Sequence, residues 1–220
     1  MSGGTGGLGS AVTRTLLDDG WRVVVPYIEE RELERLERHD RLLTVAADLF
    51  DEGAVAGVVG AAGDDLRAIV NLVGGFAAGG RIHETPIEEF EGQFRLNLRP
   101  TYLLCHAGLP ALIAAGGGSI VCVSTRAALR PFPGAAGYIA SKAAVLAFVD
   151  ALAVEYTGDG VRANAILPSV IDTAANRAAQ PDADHTRWVE PEEIARVVRF
   201  LCSDDATPTS GAHIPVYGRA

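Results

Sequence analysis

Short runs of β-branched and apolar residues alternate along the chain with longer stretches whose apolar positions recur every three or four residues. The short runs predict six strands: WRVVVPY, LTVAAD, AIVNLVGG, SIVCVS, RANAILP and HIPVY. The longer stretches predict helices over residues 10–18, 30–38, 51–59, 86–97, 101–115, 136–157 and 191–203. Strands and helices that alternate in this way build βαβ units, so we expect an α/β fold around a parallel sheet.

Residues 169–190 do not fit this alternation. The segment is polar, rich in Ala, Asp and Pro, and directly follows the strand RANAILP. Ligands of open α/β sheets bind at the carboxyl ends of the strands, so the segment is well placed to cover a site. We therefore expect a lid here; a disordered surface loop without a function is the alternative.

Composition points to one domain over residues 1–220. A chain of 220 residues that is 48% hydrophobic can bury one substantial core but is short for two. A net charge of −9 with scattered Lys and Arg argues against nucleic acid as a partner. The sequence shows neither an uninterrupted apolar run of membrane length nor the order of a signal peptide, so we expect no membrane partner and a cytoplasmic protein.

Cysteine and histidine positions suggest neither a disulfide nor a metal site. Cys105, Cys122 and Cys202 are far apart in apolar stretches, which is typical of reduced core thiols. The five histidines show no metal-ligand spacing, and we expect no metal.

The chain opens with the glycine-rich stretch MSGGTGGLGS, which contains Gly3, Gly7 and Gly9 in the form G-x-x-x-G-x-G. Such a loop lets backbone N–H groups and a helix N-terminus meet a pyrophosphate. It normally follows a buried strand, yet only Met1 precedes Ser2 here. Glycine-rich turns also cap helices in many proteins, so the loop alone is a weak signal.

Tyr138 and Lys142 are four residues apart in a predicted helix, and their side chains therefore project from the same face. A phenol titrates near pH ~10, and a nearby ammonium together with a nicotinamide cation could lower its pKa to about 7. Tyr138 could then exchange a proton with a carbonyl or an alcohol. Ser124 ends the strand SIVCVS, where its hydroxyl could bond the same substrate oxygen; Asn97 and Asn71 end a predicted helix and strand.

Five motifs occur in a characteristic order: SGGTGGLG, Asp48 in AADLF, NLVGG, the set Asn97, Ser124 and Tyr138-x-x-x-Lys142, and NAILPSVIDT. In these motifs the chain resembles the short-chain dehydrogenase/reductase family over nearly its whole length. The resemblance implies a single doubly wound Rossmann-type parallel sheet, an NAD(P)-dependent oxidoreductase and a small carbonyl or alcohol substrate.

The same resemblance implies a role for each matching residue. Tyr138 would be the general acid/base, Ser124 would orient the carbonyl, and Asn97 would hold a water that relays protons. Lys142 would lower the pKa of Tyr138 and bond the cofactor ribose. The implied cofactor-binding residues are Gly3, Gly7, Leu8, Gly9, Asp48, Leu49, Asn71, Gly74, Tyr138, Lys142, Ile171 and Thr173.

The cofactor is NAD or NADP, and the second predicted strand bears on the choice. Tyr27 stands where family members specific for NAD carry an Asp. Glu29 and Glu30 would repel a 2′-phosphate, whereas Arg31 could reach one. The balance slightly favours NAD.

The lid sequence IDTAANRAAQPDADHTRW resembles the corresponding stretch of quinonoid dihydropteridine reductase, a member of the same family. That enzyme typically lacks the active-site Asn and Ser, which this chain keeps. We therefore favour carbonyl or alcohol chemistry, with dihydropteridine-like reduction as the alternative.

The family places a buried strand immediately before the glycine loop, and this sequence apparently lacks it. Losing five or six buried residues would forfeit on the order of 10 kcal/mol and open two strand edges in the middle of the sheet. We therefore expect marginal stability, and hypothesise that the natural protein starts upstream; Met1 or Ser2 as the terminus of the native protein in mass spectrometry would refute this. If the strand is truly absent, a non-catalytic dinucleotide-binding or scaffold relative becomes the alternative.

A homo-dimer or homo-tetramer is expected, because family members commonly pair through two long helices. Here these are the helices predicted over 101–115 and 136–157. Their apolar candidates for the interface are Leu103, Leu104, Leu146, Phe148 and Leu152. Burial of these side chains against their own domain is the alternative.

Overall fold

The computed structural model describes residues 1–219 and confirms the α/β fold and all six predicted strands. The strands are β1 Val23–Tyr27, β2 Leu42–Ala46, β3 Ala68–Asn71, β4 Gly118–Val123, β5 Val161–Pro168 and β6 His213–Val216. The helices are α1 Gly7–Asp18, α2 Glu52–Ala62, α3 Ile87–Asn97, α4 Arg99–Ala114, α5 Ala136–Glu155, α6 Ala174–Ala179 and α7 Pro191–Cys202. The helix expected over 30–38 is instead a short 3₁₀ helix, Glu30–Arg35.

Every strand pair among the described residues is parallel. β3, β4, β5 and β6 form one sheet in that order, and β1 pairs with β2 in a second sheet. β5 is buried along nearly its whole length, with helices on both faces of the sheet. Apart from Arg162 and Asn164 its residues are apolar, as expected of a parallel strand covered on both sides.

A slot separates the two sheets where the resemblance places the first strand. Met1 and Ser2 lie at one end of it: the Met1 nitrogen donates to the Val24 carbonyl at 2.7 Å, and the Ser2 N–H donates to the Val70 carbonyl at 2.9 Å. Among the described residues, the isolated parallel bridge between Ser2 and Asn71 is what pairs in this slot. Pro26 on β1 belongs to the alternate set of residues whose backbone faces this slot.

The helices cover the sheets in two layers. α1 packs against α7 on one face, and α5 packs against α3 and β5 on the other. Each layer encloses a cluster of buried apolar side chains, one centred on Val12, Val121, Ile166 and Ile194 and the other on Leu112, Ile120, Val145 and Leu167. Cys105, Cys122 and Cys202 are buried and free, which confirms the prediction of reduced core thiols.

Apolar side chains on one face of α5 are buried in the core. This 20-residue helix is long and apolar enough to span a membrane by length and composition alone. Its side chains Val145, Val149 and Leu152 lie inside the cluster that includes β5. Packing within the domain thus explains the apolar residues on the inward face of α5.

Most of the expected interface residues also belong to the core. Leu103, Leu104, Leu146 and Leu152 are buried against their own domain, so the interface interpretation is wrong for these four. The sequence could not separate the two faces of α4 because both are apolar. The outward face carries Tyr102, which is 50% exposed and stacks on His106 at 5.7 Å between ring centroids.

Candidate active site

The glycine loop turns sharply between Met1 and α1. Gly3 has a left-handed backbone with φ 68°, and a Cβ on Gly9 would lie 1.8 Å from the Gly3 carbonyl oxygen. Only glycine fits this packing at either position. α1 begins at Gly7 behind Gly6, which has no side chain to cap it. The N–H groups of the first turn therefore remain available for an anion.

A cavity of about 760 Å³ lies beside this loop. One wall is formed by Gly3, Thr5 and Gly6, and a second by residues 72–74 after β3. The third wall is charged and consists of Glu29, Arg31, Glu32, Glu34 and Arg35. The cavity lies at the carboxyl ends of β1 and β3, where open α/β sheets bind ligands.

Asn97 and Lys142 meet at Gly74. A Cβ on Gly74 would lie 2.6 Å from the Asn97 Oδ1 and 2.7 Å from the Lys142 Nζ, so a side chain there would displace both. Asn97 is fully buried at the end of α3; its Oδ1 accepts from the Gly75 N–H at 2.9 Å and its Nδ2 donates to the Ser141 Oγ at 3.0 Å. These bonds fix the loop after β3 against α5.

Lys142 is an almost completely buried lysine. Its Nζ donates to the Val123 carbonyl at the end of β4 at 3.0 Å. Desolvation by burial lowers the pKa of Lys142 to about 8. The ammonium is therefore held in place but is costly to keep charged, so an anionic or hydroxyl-bearing ligand would stabilise its charged form.

Tyr138 lies one helical turn before Lys142 and faces Thr125. Burial raises the pKa of Tyr138, and a hydrogen bond with the Thr125 side chain opposes that shift. The expected lowering by Lys142 is not the dominant effect in the chain alone, because the phenol is desolvated. Phe76 touches the Tyr138 ring edge-on at 4.9 Å between centroids, and Phe132 lies 6.4 Å from Phe76.

Ser124 directly follows β4, but its hydroxyl points into the protein. Its hydroxyl is buried and donates to the Lys142 main-chain carbonyl at 2.8 Å, so it is committed inside the protein. The Thr125 Oγ1 accepts from the Ala127 N–H at 3.3 Å, and the Thr125 side chain lies close enough to Tyr138 to oppose the rise in the pKa of the phenol. The bond of Ser124 does not support its expected role; because successive side chains of an extended segment point in opposite directions, Thr125 is the alternative that the structure offers.

Three further residues expected at the cofactor differ in accessibility. Asp48 is exposed, and its Oδ1 accepts from the Phe50 N–H at 2.9 Å, whereas Leu49 is buried in the core. Asn71 is buried; its Oδ1 accepts from the Ser2 Oγ at 2.7 Å and its Nδ2 donates to the Thr101 carbonyl at 3.4 Å. The amide of Asn71 thus ties the end of β3 to the glycine loop and to α4. Any effect of Asn71 on a cofactor would act through that support.

The segment 169–190 is folded and contacts the glycine loop. Ile171 pairs with Val189 in a parallel bridge that closes the segment at its base. Thr173 caps α6 by accepting from the Asn176 N–H, and a Cβ on Gly7 would lie 3.0 Å from the Thr173 Cγ2. Leu8, in the first turn of α1, packs on the core cluster beside this helix. Thr173 therefore lies against the start of α1, and the short helix α6 is an element that the composition of the segment did not reveal.

Comparisons with known proteins match this arrangement along the whole chain. The family model described as enoyl-(acyl carrier protein) reductase matches residues 3–218. The chain belongs to the short-chain dehydrogenase/reductase family. Among its relatives, a 2-(R)-hydroxypropyl-CoM dehydrogenase of Xanthobacter autotrophicus is 34% identical, over 99% of this chain and 96% of that protein. A dehydrogenase/reductase family member 4 of Bos taurus is 33% identical, over 99% and 85%.

Solved structures of the family agree with the fold. A 3-ketoacyl-(acyl-carrier-protein) reductase of Brucella melitensis in complex with NADH superposes with a TM-score of 0.90 at 27% identity, covering 99% of this chain and 96% of that one. A family member from Mycobacterium ulcerans has a TM-score of 0.91 at 26% identity, covering 99% and 87%. This short-chain dehydrogenase/reductase is accordingly an NAD(P)-dependent oxidoreductase, as the sequence predicted.

The residues of this family member fit a dinucleotide. The uncapped start of α1 suits a pyrophosphate, and the cavity beside it extends from the glycine loop to Gly74. Gly74 is next to the Lys142 ammonium, a donor for sugar hydroxyls.

Proposed function

We propose that the protein reduces a carbonyl compound to an alcohol, or catalyses the reverse oxidation, with Tyr138 as the proton donor or acceptor. The observation that carries this proposal is the position of Tyr138 one helical turn before the buried Lys142, whose Nζ is held by the Val123 carbonyl, with the Thr125 side chain beside the phenol. Two hydroxyls that converge can hold a single carbonyl oxygen between them.

In the direction of reduction, Thr125 donates a hydrogen bond to the carbonyl oxygen and holds it against Tyr138. The glycine loop, residues 72–74 and Lys142 would hold a dihydronicotinamide cofactor, which would supply the hydride for the new C–H bond while the carbonyl π electrons move to oxygen. Tyr138 transfers its proton to that oxygen and becomes a phenolate. The Lys142 ammonium stabilises the phenolate by its charge. Oxidation runs through the same groups in reverse.

Asn97 holds the frame of this site. Both polar atoms of its side chain are bonded within the protein, to the Gly75 N–H and the Ser141 Oγ, and its carbonyl accepts from the Thr101 Oγ1 at 3.2 Å. We assign Asn97 the role of positioning the loop after β3 against Lys142. That Asn97 also holds a proton-relay water stays a prediction.

The charged wall of the cavity supports NAD as the preferred cofactor. It carries three carboxylates, Glu29, Glu32 and Glu34, against two guanidinium groups. Arg31 pairs with Glu29 at 2.5 Å, and Arg35 donates to the Thr5 carbonyl at 3.2 Å. A 2′-phosphate would meet an excess of negative charge at this wall. We expect tighter binding of NADH than of NADPH in a fluorescence titration; the opposite order would refute the preference.

Phe76 and Phe132 support a substrate with an apolar group. Both are exposed, 63% and 44%, although they stand beside the catalytic tyrosine. An apolar substituent next to the reacting carbonyl would bury these rings. The 2-(R)-hydroxypropyl-CoM dehydrogenase is named for a secondary alcohol, which agrees with carbonyl and alcohol chemistry.

The test compares the protein with Tyr138→Phe. NADH oxidation is followed against a panel of aliphatic and aryl ketones, and NADH binding is measured separately by fluorescence. We expect kcat/KM to fall by about 10²–10⁴-fold with NADH binding retained, because the substitution removes one proton donor. Undiminished turnover by Tyr138→Phe would refute the role of Tyr138.

The proposal extends to the cellular location and the assembly of the protein. We propose a cytoplasmic homo-oligomer that pairs through the outward aromatic stripe of Tyr102, His106 and Phe148 on α4 and α5. As the candidate interface, this stripe replaces the leucines that are buried in the core. Sedimentation that shows only a monomer at micromolar concentration would refute the assembly.

A further inference from the structure

A chain of hydrogen bonds joins the loop after β3 to α5 through the Ser141 hydroxyl. The Gly75 N–H donates to the Asn97 Oδ1 at 2.9 Å, and the Asn97 Nδ2 donates to the Ser141 Oγ at 3.0 Å. The Ser141 Oγ donates in turn to the Tyr138 main-chain carbonyl at 2.8 Å. Asn97 and Ser141 are both fully buried, so water does not compete for these bonds.

The direction of each bond in this chain follows from the number of protons available. A serine hydroxyl has one proton to donate, and a main-chain carbonyl has none. The Ser141 proton therefore goes to the Tyr138 carbonyl, and the Ser141 oxygen remains as an acceptor for the Asn97 amide. Only the NH₂ end of that amide can donate, so it faces Ser141, and the carbonyl end faces the Gly75 N–H.

The opposite orientation of the Asn97 amide would break two bonds. Its NH₂ group would then face the Gly75 N–H, which places a donor against a donor. Its carbonyl oxygen would take the Ser141 proton, and the bond from Ser141 to the Tyr138 carbonyl would be lost. Unpaired polar groups are costly when buried, so Ser141 and the Gly75 N–H together fix one orientation.

This orientation decides which end of the amide lies near Lys142. A Cβ on Gly74 would lie 2.6 Å from the Asn97 Oδ1 and 2.7 Å from the Lys142 Nζ, so these two atoms are close neighbours. An amide carbonyl oxygen stabilises a nearby ammonium, whereas an NH₂ group opposes it. Burial lowers the pKa of Lys142 to about 8, and the Asn97 oxygen acts against that effect.

We propose that Ser141 is a positioning residue of the active site: its single proton orients the Asn97 amide so that the carbonyl oxygen lies beside the Lys142 ammonium. The same hydroxyl ties this support to the first turn of α5, which carries Tyr138. Its consequence for catalysis rests on the proposed function, because it acts through Lys142 and Tyr138. The orientation of the amide does not depend on that function.

The experiment follows the titration of Lys142, which is the single lysine of the chain. Isotope-labelled lysine therefore gives one side-chain NMR signal, and its pH dependence reports this amine directly. In the variant Ser141→Ala we expect the Lys142 amine to bind its proton at least about threefold more weakly, because the Asn97 oxygen is no longer held beside it. The nearby titratable groups, Tyr138 and Cys122, are kept in every variant.

The matched control is Ser119→Ala. Ser119 is as buried as Ser141, and its hydroxyl also donates to a main-chain carbonyl, that of Leu201 at 2.7 Å, but at the amino end of β4. Each substitution removes a buried hydroxyl and lowers stability. Only Ser141→Ala should change the titration of Lys142. No change in Ser141→Ala, or an equal change in both variants, would overturn the proposal.

A second measurement uses the unchanged chain, so it does not depend on the folding of a variant. We expect the NH₂ protons of Asn97 to show stronger nuclear Overhauser contacts to the Cβ protons of Ser141 than to the Gly75 N–H. The reverse order would show the opposite amide orientation and overturn the proposal.

Neither measurement needs a cofactor or turnover. Full turnover by Tyr138→Phe beside the expected change in the Lys142 titration would refute the proposed function alone. Loss of turnover by Tyr138→Phe beside an unchanged titration in Ser141→Ala would refute the role of Ser141 alone.

Discussion

The four-stranded and two-stranded sheets support the two ends of the site in different ways. β4 and β5 pair on both sides, and the groups at their carboxyl ends are tied by buried bonds, such as that of Lys142 to Val123. β1 pairs only with β2 among the described strands and reaches β3 through Met1 and Ser2. The catalytic end is therefore held by a continuous ladder, whereas the charged wall of the cofactor cavity follows the less supported sheet.

After Tyr138→Phe, the largest effect is expected at the well-supported end, from Thr125→Val. This change keeps the side-chain volume and removes the hydroxyl that faces Tyr138, so we expect kcat to fall by about 100-fold. Steady-state kinetics with the best ketone of the panel measures it.

Ser124→Ala is the matched control for Thr125→Val. It removes a hydroxyl that bonds the Lys142 carbonyl away from the substrate. We expect a loss of about 1 kcal/mol in unfolding free energy and less than a tenfold change in kcat. If Ser124→Ala lost the larger share of kcat, the assignment of Thr125 would be wrong.

Gly74→Ala tests how tightly the junction of Asn97 and Lys142 is packed. The new methyl group would displace the Asn97 Oδ1 or the Lys142 Nζ, which a Cβ would approach within 2.7 Å. Because catalysis is sensitive to small displacements, we expect a loss of about tenfold or more in kcat/KM. Gly79→Ala, where a Cβ meets nothing within 4 Å, serves as the control and should leave kcat/KM unchanged. Equal effects of the two substitutions would contradict this packing.

Hydrogen exchange compares the two sheets directly. The Ala47 amide, bonded to Tyr27 at the end of the two-stranded sheet, should exchange about tenfold faster than the Ser124 amide, bonded to Ile166 in the four-stranded sheet. The cause is local opening of a sheet paired on one side only. Protection at Ala47 equal to that at Ser124 would show that helix packing alone stabilises both sheets equally.

The smallest effect concerns the buried charge of Lys142. Its folded pKa of about 8 lies below the ordinary lysine value of 10.5, so folding disfavours the protonated form, and stability rises with pH between these values. Between pH 8 and 9 we expect the protein to gain about 1 kcal/mol relative to Lys142→Met, measured by urea unfolding. A constant difference between the two proteins would contradict the lowered pKa.

Periodicity and motif order were enough to predict the strands, the glycine loop and the position of Tyr138 relative to Lys142. Those features depend on local patterns: β5 is mostly apolar because both its faces are covered, and residues four apart share a helix face.

Features that depend on a one-residue offset or on tertiary contacts could not be predicted. Ser124 and Thr125 both carry hydroxyls at the end of β4, and only the direction of each side chain separates them. Similarly, α6 forms in a segment with a weak helical pattern. Thr173 caps the helix, and the pairing of Ile171 with Val189 brings the two ends of the segment together. On α4, the leucines are buried in the core, whereas Tyr102 is exposed.

Pro26 gives the open edge of β1 a further property, resistance to aggregation. Its ring nitrogen has no hydrogen and belongs to the set that faces the slot, so a foreign strand that extends along this edge would find one donor missing. Exposed edges of sheets are where proteins polymerise, and proline is a common means of blocking that growth. A continuous ladder of foreign strands along this edge would therefore be interrupted at Pro26.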